Sequence, residues 1–306
     1  MSKIEEALRQ AQSMRRSKGS RPESAAGRAL VRTPGSEVAE LEKRGHARDE
    51  IARMADTDRI SGQDLAEGRI IFPDMRDNRT VDAFRELRTK LIQKGGSENM
   101  VLMVTSVTAG DGATFVARNL AVSFAFDEGK TALLIDCNLR NPGLMKKSGT
   151  EIQRGLTDYL EAADMPVEKI IYQVGIPRLR LIPSGARREI ASEYFTSLKM
   201  RRLLEALKAR YAERYVVLDA PAVTESADSR ILAELADYVL LVVPYGRVSE
   251  SQILAAAKAI GAKKLVGIVF NNEPRTLNPF RDLWPWAGSL PGISWLAGLF
   301  RHRAGA

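Results

Sequence analysis

The chain has 306 residues, 44% of them hydrophobic and 27% charged, a globular composition with room for one sizeable α/β core and appended segments. Its formal net charge of +8, from 46 basic and 38 acidic residues, is too modest to indicate a nucleic-acid binder, and no nucleic acid is expected among its partners. The single cysteine, Cys137, excludes an intrachain disulfide and a cysteine-rich metal site, and suits a reducing compartment.

The opening residues lack the apolar core of a signal peptide. No run approaches the roughly 18–20 apolar residues of a membrane-spanning helix, so a cytoplasmic protein is expected. Residues 1–17 read as a short amphipathic helix: Ser2 and Glu5 form a capping box, and Ile4, Ala7, Leu8, Ala11 and Met14 recur at helical spacing. Residues 18–78 are polar, charged and poor in aromatics, the pattern of a flexible linker region.

From residue 79 the pattern becomes regular. RTVDAFRELRTKLIQK predicts a helix with Val81, Phe84, Leu87 and Leu91 on one face. Six short apolar runs follow: MVLMVTSV, TALLIDC, RLRLIPS, YVVLDAP, DYVLLVVPY and KLVGIVFNN. Each suits a strand buried on both faces of a parallel sheet. Helical stretches such as EYFTSLKMRRLLEALKARY and SESQILAAAKAI lie between them. The alternation predicts a doubly wound, mostly parallel α/β sheet with helices on both faces, spanning 79–272. In residues 273–306 the character changes again. All three tryptophans (Trp284, Trp286, Trp295) fall there, with Arg301 and Arg303, a mixture suited equally to a membrane interface, a partner's groove or packing on the chain's own domain.

The first predicted strand runs into TSVTAGDGATFVARNLA, a glycine-bearing turn that opens a helix. Backbone N–H groups and the positive end of a helix cradle phosphate in such a turn. The cradle residues are Gly110, Asp111, Gly112, Ala113, Thr114 and Phe115. A Walker A loop carries Lys and then Ser or Thr after its final glycine; here Ala113 and Thr114 follow Gly112. The magnesium-ligating hydroxyl is kept and the lysine is not. A cation about 4 Å from a phosphate oxygen contributes on the order of 4 kcal/mol at a surface-like dielectric, so ATP or ADP binding with magnesium is expected to be weak or lost. Two strands end in Asp136 and Asp219, at the sheet edge where ligands bind, and these carboxylates with Thr114 are the candidate magnesium residues. Alone, either aspartate could equally be a helix cap.

These motifs, in this order, resemble the bacterial tyrosine autokinases of capsule and exopolysaccharide synthesis, within the P-loop branch that includes the partition and division-site ATPases. VDAFRELRTKL is similar to the family's oligomerisation helix, with Asp82, Arg85 and Arg88 at its three motif positions. TSVTAGDGAT matches the Walker A loop, and LLIDCNLRNP matches the second acidic motif through Asp136, Asn138 and Arg140. GLTDYL, LIPSG, MRRLLEALKARY and VVLDAPAV follow in the family's order, and Asn271 falls where the family contacts the base. MSKIEEALRQA is similar to the opening of kinases in exosortase-associated clusters. The resemblance implies a P-loop kinase fold and ring formation through the Arg85/Arg88 helix. It also implies a site at the inner face of the plasma membrane, docked on the cytoplasmic part of a membrane polysaccharide co-polymerase or chain-length protein.

Three departures stand against autophosphorylation. Ala113 replaces the catalytic lysine, Asn138 replaces an aspartate, and no tyrosine occurs from 246 to 306. They predict a non-catalytic regulator or scaffold of exopolysaccharide export, as a homo-oligomer or beside an active paralogue. The alternatives are a weak kinase or ATPase using another cation, such as Arg118 or Arg140, and a membrane-positioning protein anchored by its tryptophan-rich tail.

Overall fold

The computed structural model describes residues 59–75, 78–95, 99–127, 129–142, 144, 153–210 and 213–272. The expected amphipathic helix at 1–17, most of the linker and the tryptophan-rich tail lie outside the described residues.

In chain order the elements are α1 (Gly62–Glu67), α2 (Asn78–Gly95), β1 (Val101–Ser106), α3 (Ala113–Ala125), β2 (Thr131–Asp136) and α4 (Leu156–Glu161). A 3-10 turn (Val167–Ile170) precedes β3 (Tyr172–Gln173) and β4 (Leu179–Ile182), followed by α5 (Ser192–Thr196), α6 (Leu198–Arg210) and β5 (Arg214–Asp219). The remainder is α7 (Ala227–Leu235), β6 (Tyr238–Pro244), α8 (Glu250–Ile260) and β7 (Leu265–Asn271).

The strands form one seven-stranded sheet in the order β3-β4-β2-β5-β1-β6-β7. All pairings are parallel except that of the two-residue edge strand β3 with β4. Successive side chains of β1 serve opposite faces, as the two-residue period of a strand requires. Leu102 and Val104 join the apolar cluster under α2 and α3, whereas Val101 and Met103 join the cluster that contains α6, α7 and α8. Val81, Phe84, Leu87 and Leu91 of α2 are all buried, which is the apolar face the helical spacing predicts. Burying a side chain of this size contributes about 1.5–3 kcal/mol, so this one face accounts for the docking of α2.

Two differences from the expected elements have physical causes. The single helix expected over 193–211 is broken at Ser197, whose backbone is extended. Its hydroxyl donates to the Tyr194 carbonyl at 2.7 Å and accepts the Met200 N–H at 3.1 Å, which makes Ser197 the cap of a new helix. The linker expected through residue 78 also ends earlier, because residues 59–75 pack on the domain as a strap. Leu65, Ile70 and Ile71 of this strap enter the core. The Asn119 side chain accepts the Ile71 N–H at 2.8 Å and donates to the Arg69 carbonyl at 3.0 Å. No periodic apolar face announces this strap, whose anchor lies about 48 residues further along the chain. Among the described residues no helix is long and apolar enough to cross a membrane.

Candidate nucleotide site

β1 lies between β5 and β6, and the turn leaving it opens α3. Gly110 and Gly112 take φ of +83° and +95°, a region that glycine enters without steric cost. No side chain caps the first turn of α3, so its N–H groups are available to an anion. The turn is braced from several sides. The buried Asp111 carboxylate accepts the Thr108 N–H at 2.7 Å and the Thr108 hydroxyl at 3.0 Å. Glu225 accepts the Ala109 N–H at 2.8 Å, and Asn271 Nδ2 donates to the Asp111 carbonyl at 2.9 Å. Sequence reasoning missed Thr108 and Glu225; Glu225 follows β5 and meets the turn only through the fold. The turn is thus shaped before any ligand arrives.

Ala113 is buried at the head of α3, and its side chain places no charge in the turn. Phe115 points away: its ring meets Phe84 of α2 edge-on at 6.0 Å, so its contribution to an anion site is its backbone N–H. Asn271 is buried with its Oδ1 unpartnered, and its amide lies against Gly112. In this arrangement its amide nitrogen serves the turn, and its oxygen is buried without a partner.

The parallel register of β2 and β5 sets Asp136 directly opposite Asp219 at the strand ends. Both are buried. Asp136 accepts backbone N–H groups from Asn138 at 3.0 Å and Leu144 at 3.3 Å. Thr114, at the head of α3, is close enough to Asp219 to favour its charged form. Burial, and then the neighbouring Asp136 charge, push the Asp219 carboxyl well above the usual carboxylate range; Thr114 and Arg118 pull it back. Cys137 is buried behind the pair, and burial together with both carboxylates raises its thiol, leaving it protonated and inert. Asn138 turns its amide oxygen to the Asn141 N–H at 3.2 Å and adds no charge.

Thr114, Asp136 and Asp219 are therefore brought together, three hard oxygen donors beside the glycine turn. Magnesium favours such donors and completes its shell with water and phosphate oxygens, so this set fits it. Arg140 is half-exposed and its Nε lies 3.4 Å from the Asp228 carboxylate, away from this trio's partners. Arg118 is a cation within electrostatic reach of Asp219. On α2, Arg88 donates to the Ser123 carbonyl at 2.7 Å, whereas Arg85 is exposed and loosely paired with Asp82 at 3.4 Å.

A doubly wound sheet with a glycine turn at its central strand and two facing carboxylates beside it defines a P-loop-type α/β protein whose loop lacks lysine. No protein-family model matches the chain. It is 30% identical to the tyrosine-protein kinase CpsD of Streptococcus agalactiae over 209 residues, 67% of this chain and 87% of CpsD. It is 31% identical to the tyrosine-protein kinase YwqD of Bacillus subtilis over 195 residues, 63% of this chain and 81% of YwqD. Among solved structures, the kinase domain of the Escherichia coli tyrosine kinase ETK superposes with a TM-score of 0.58 at 25% identity, covering 69% of this chain and 87% of that one. The BceF tyrosine kinase domain gives 0.54 at 30% identity, covering 62% of this chain and 76% of that one. The chain belongs to the family of bacterial tyrosine-protein kinases.

Proposed function

We propose that this protein is a non-catalytic regulator or scaffold of capsule or exopolysaccharide synthesis and export. It works at the cytoplasmic face of the membrane and docks on the cytoplasmic part of a polysaccharide co-polymerase or chain-length protein. One observation carries the reading: the phosphate turn keeps its glycines, its bracing and its acidic pair, yet Ala113 stands where the catalytic lysine belongs. Phosphoryl transfer depends on positive charge placed against the moving phosphoryl group, so the loss falls on catalysis more heavily than on fold. The pathway follows from the family, whose members include the putative tyrosine-protein kinase EpsB of Ralstonia solanacearum and the succinoglycan biosynthesis transport protein ExoP of Rhizobium meliloti.

The test is calorimetry of ATP and ADP with magnesium on the native chain and on Ala113→Lys, beside a pull-down with the neighbouring co-polymerase. The expected result is no measurable binding by the native chain, binding gained by the variant, and capture of the co-polymerase by both. The retained Thr114, Asp136 and Asp219 favour one second reading, a weak ATPase or tyrosine kinase. Magnesium-dependent phosphotyrosine on the native chain, abolished by Asp219→Ala, would replace the first reading with the second.

A further inference from the structure

Ile60 and Ile70 of the strap, Arg118 of α3, Leu134 of β2 and Leu181 of β4 line a cavity of about 40 Å³. A single water needs roughly 10–15 Å³ of such space, so the cavity takes about three to five non-hydrogen atoms. Among the described residues its wall is aliphatic apart from Arg118 and Arg180. Arg118 Nη2 donates to the Gly68 carbonyl of the strap at 2.7 Å, whereas its Nε is buried without a hydrogen-bond partner. Arg180 is buried on β4, and its Nη1 donates to the Leu179 carbonyl at 3.0 Å. A buried donor left unpaired costs free energy, so the Arg118 Nε calls for an acceptor. Water suits this place poorly. Guanidinium groups only donate, so a water that accepts from Nε would turn its own hydrogens toward aliphatic walls. A ligand that only accepts on one side and is apolar on the other meets both demands. A carboxylate does so: its two oxygens match the planar fork of a guanidinium, and a methyl or ethyl group meets the leucines and isoleucines.

We infer that this cavity is a binding site for a short-chain carboxylate, of acetate or propionate size, held by Arg118 under the strap. Its volume excludes a nucleotide, a sugar or a lipid chain. Ile60 and Ile70 belong to the strap, as does the Gly68 carbonyl on Arg118, so an occupant adds contacts that opening of the strap would break. Binding therefore fastens the strap. The Asp219 charge also reaches Arg118 and opposes an anion. With so small a ligand, the affinity is on the order of millimolar. None of the lining residues named here belongs to the glycine turn.

Propionate serves as the probe on the full chain at constant ionic strength, with propionamide as its uncharged isostere. Saturation-transfer NMR on the propionate methyl group gives the dissociation constant, and hydrogen exchange reports on the strap. Propionate is expected to bind with a dissociation constant on the order of millimolar. At a concentration equal to that constant it should slow exchange across residues 60–72 about twofold, and propionamide should not. Arg118→Met, suited to the aliphatic wall, should weaken propionate at least about tenfold, the loss of a hydrogen bond to a charged group. That variant also removes a strap contact, so Val174→Phe, which fills the cavity and keeps Arg118, is its companion and should likewise abolish binding. If circular dichroism shows Arg118→Met unfolded, Val174→Phe carries the comparison alone. No saturable binding by the native chain, equal binding of propionamide, or unchanged propionate binding in either folded variant overturns the inference. Chloride competing as well as propionate at equal concentration overturns it too, because the cavity would then not select a carboxylate.

Discussion

Asn271 and Gly112 are packed so closely that a Cβ on Gly112 would lie 2.1 Å from the Asn271 amide nitrogen. The last strand of the sheet thereby fixes the last residue before α3, at a backbone angle of +95° that disfavours any side chain. Gly112→Ala meets both obstacles. We expect it to cost about 2–4 kcal/mol, the sum of a left-handed non-glycine residue and a buried clash. Asn271→Ala relieves the clash and not the backbone strain. A double-mutant cycle on thermal stability should therefore show the pair less destabilising than the sum of its parts. Strict additivity would mean that the amide yields without cost.

Ala113→Lys restores a cation in a turn whose bracing does not involve residue 113. A lysine about 4 Å from a phosphate oxygen is worth on the order of 4 kcal/mol at an effective dielectric of 20, less the cost of ordering its side chain. The expected outcome is a gain of at least a hundredfold in ATP affinity by calorimetry, with little change in melting temperature. A variant that folds and still does not bind would show that the missing lysine is not the only obstacle at this site.

Much of this arrangement could be read directly from the residues. The six apolar runs announced six of the seven strands, because strands buried on both faces must be apolar throughout. Asp136 and Asp219 were legible as strand-end carboxylates, though the residue-for-residue register between them comes from the sheet. The strap was illegible for a different reason: Asn119 holds it through backbone atoms of Arg69 and Ile71, and backbone partners leave no mark on the sequence. Glu225 was missed likewise, since its partner is the N–H of Ala109, 116 residues away. β3 is only two residues long and antiparallel, too short to carry a periodic signal.

Asn119 makes the strap testable. Its amide serves one N–H and one carbonyl of the strap, and Asn119→Ala leaves both groups without that partner. Each unsatisfied buried group costs about 1–3 kcal/mol, moderated where the strap can reach water. The melting temperature should fall, and hydrogen exchange should accelerate across residues 60–72 more than in β1 or β5. Uniform acceleration across the sheet would show that strap and core open as one unit.

The buried acidic pair predicts a sign for the pH dependence. The folded carboxyl of Asp219 titrates well above its unfolded value of about 3.9, so in that interval the folded state holds more protons than the unfolded one. Stability contributed by this group is therefore present at low pH and is lost as pH rises from the unfolded value through the folded one. Asp219→Asn keeps the shape of the side chain and removes the titration. The variant is expected to melt higher than the native chain near neutral pH, with the gap closing as the solution is acidified toward the unfolded value. Parallel melting curves from pH 4 to pH 8 would mean that the pair is already compensated in the native chain.

Arg85 and Arg88 sit three residues apart on α2 and have different surroundings, which separates folding from assembly. Arg88 donates to the carbonyl of Ser123 in the last turn of α3, where a cation also complements the helix dipole. Hydrogen bonds to charged groups contribute about 1.5–3 kcal/mol, so Arg88→Ala should lower the melting temperature measurably. Arg85 is 45% exposed and its 3.4 Å contact with Asp82 is a surface pair, worth about 0–1 kcal/mol. Arg85→Ala should therefore leave the monomer as stable as before. If α2 builds the ring that the family resemblance implies, Arg85 is the residue with its charge available to a neighbour. Sedimentation velocity would then show the assembly of Arg85→Ala shifted toward monomer at unchanged melting temperature. Equal sedimentation of Arg85→Ala and the native chain, both assembled, would move the interface off this face of α2.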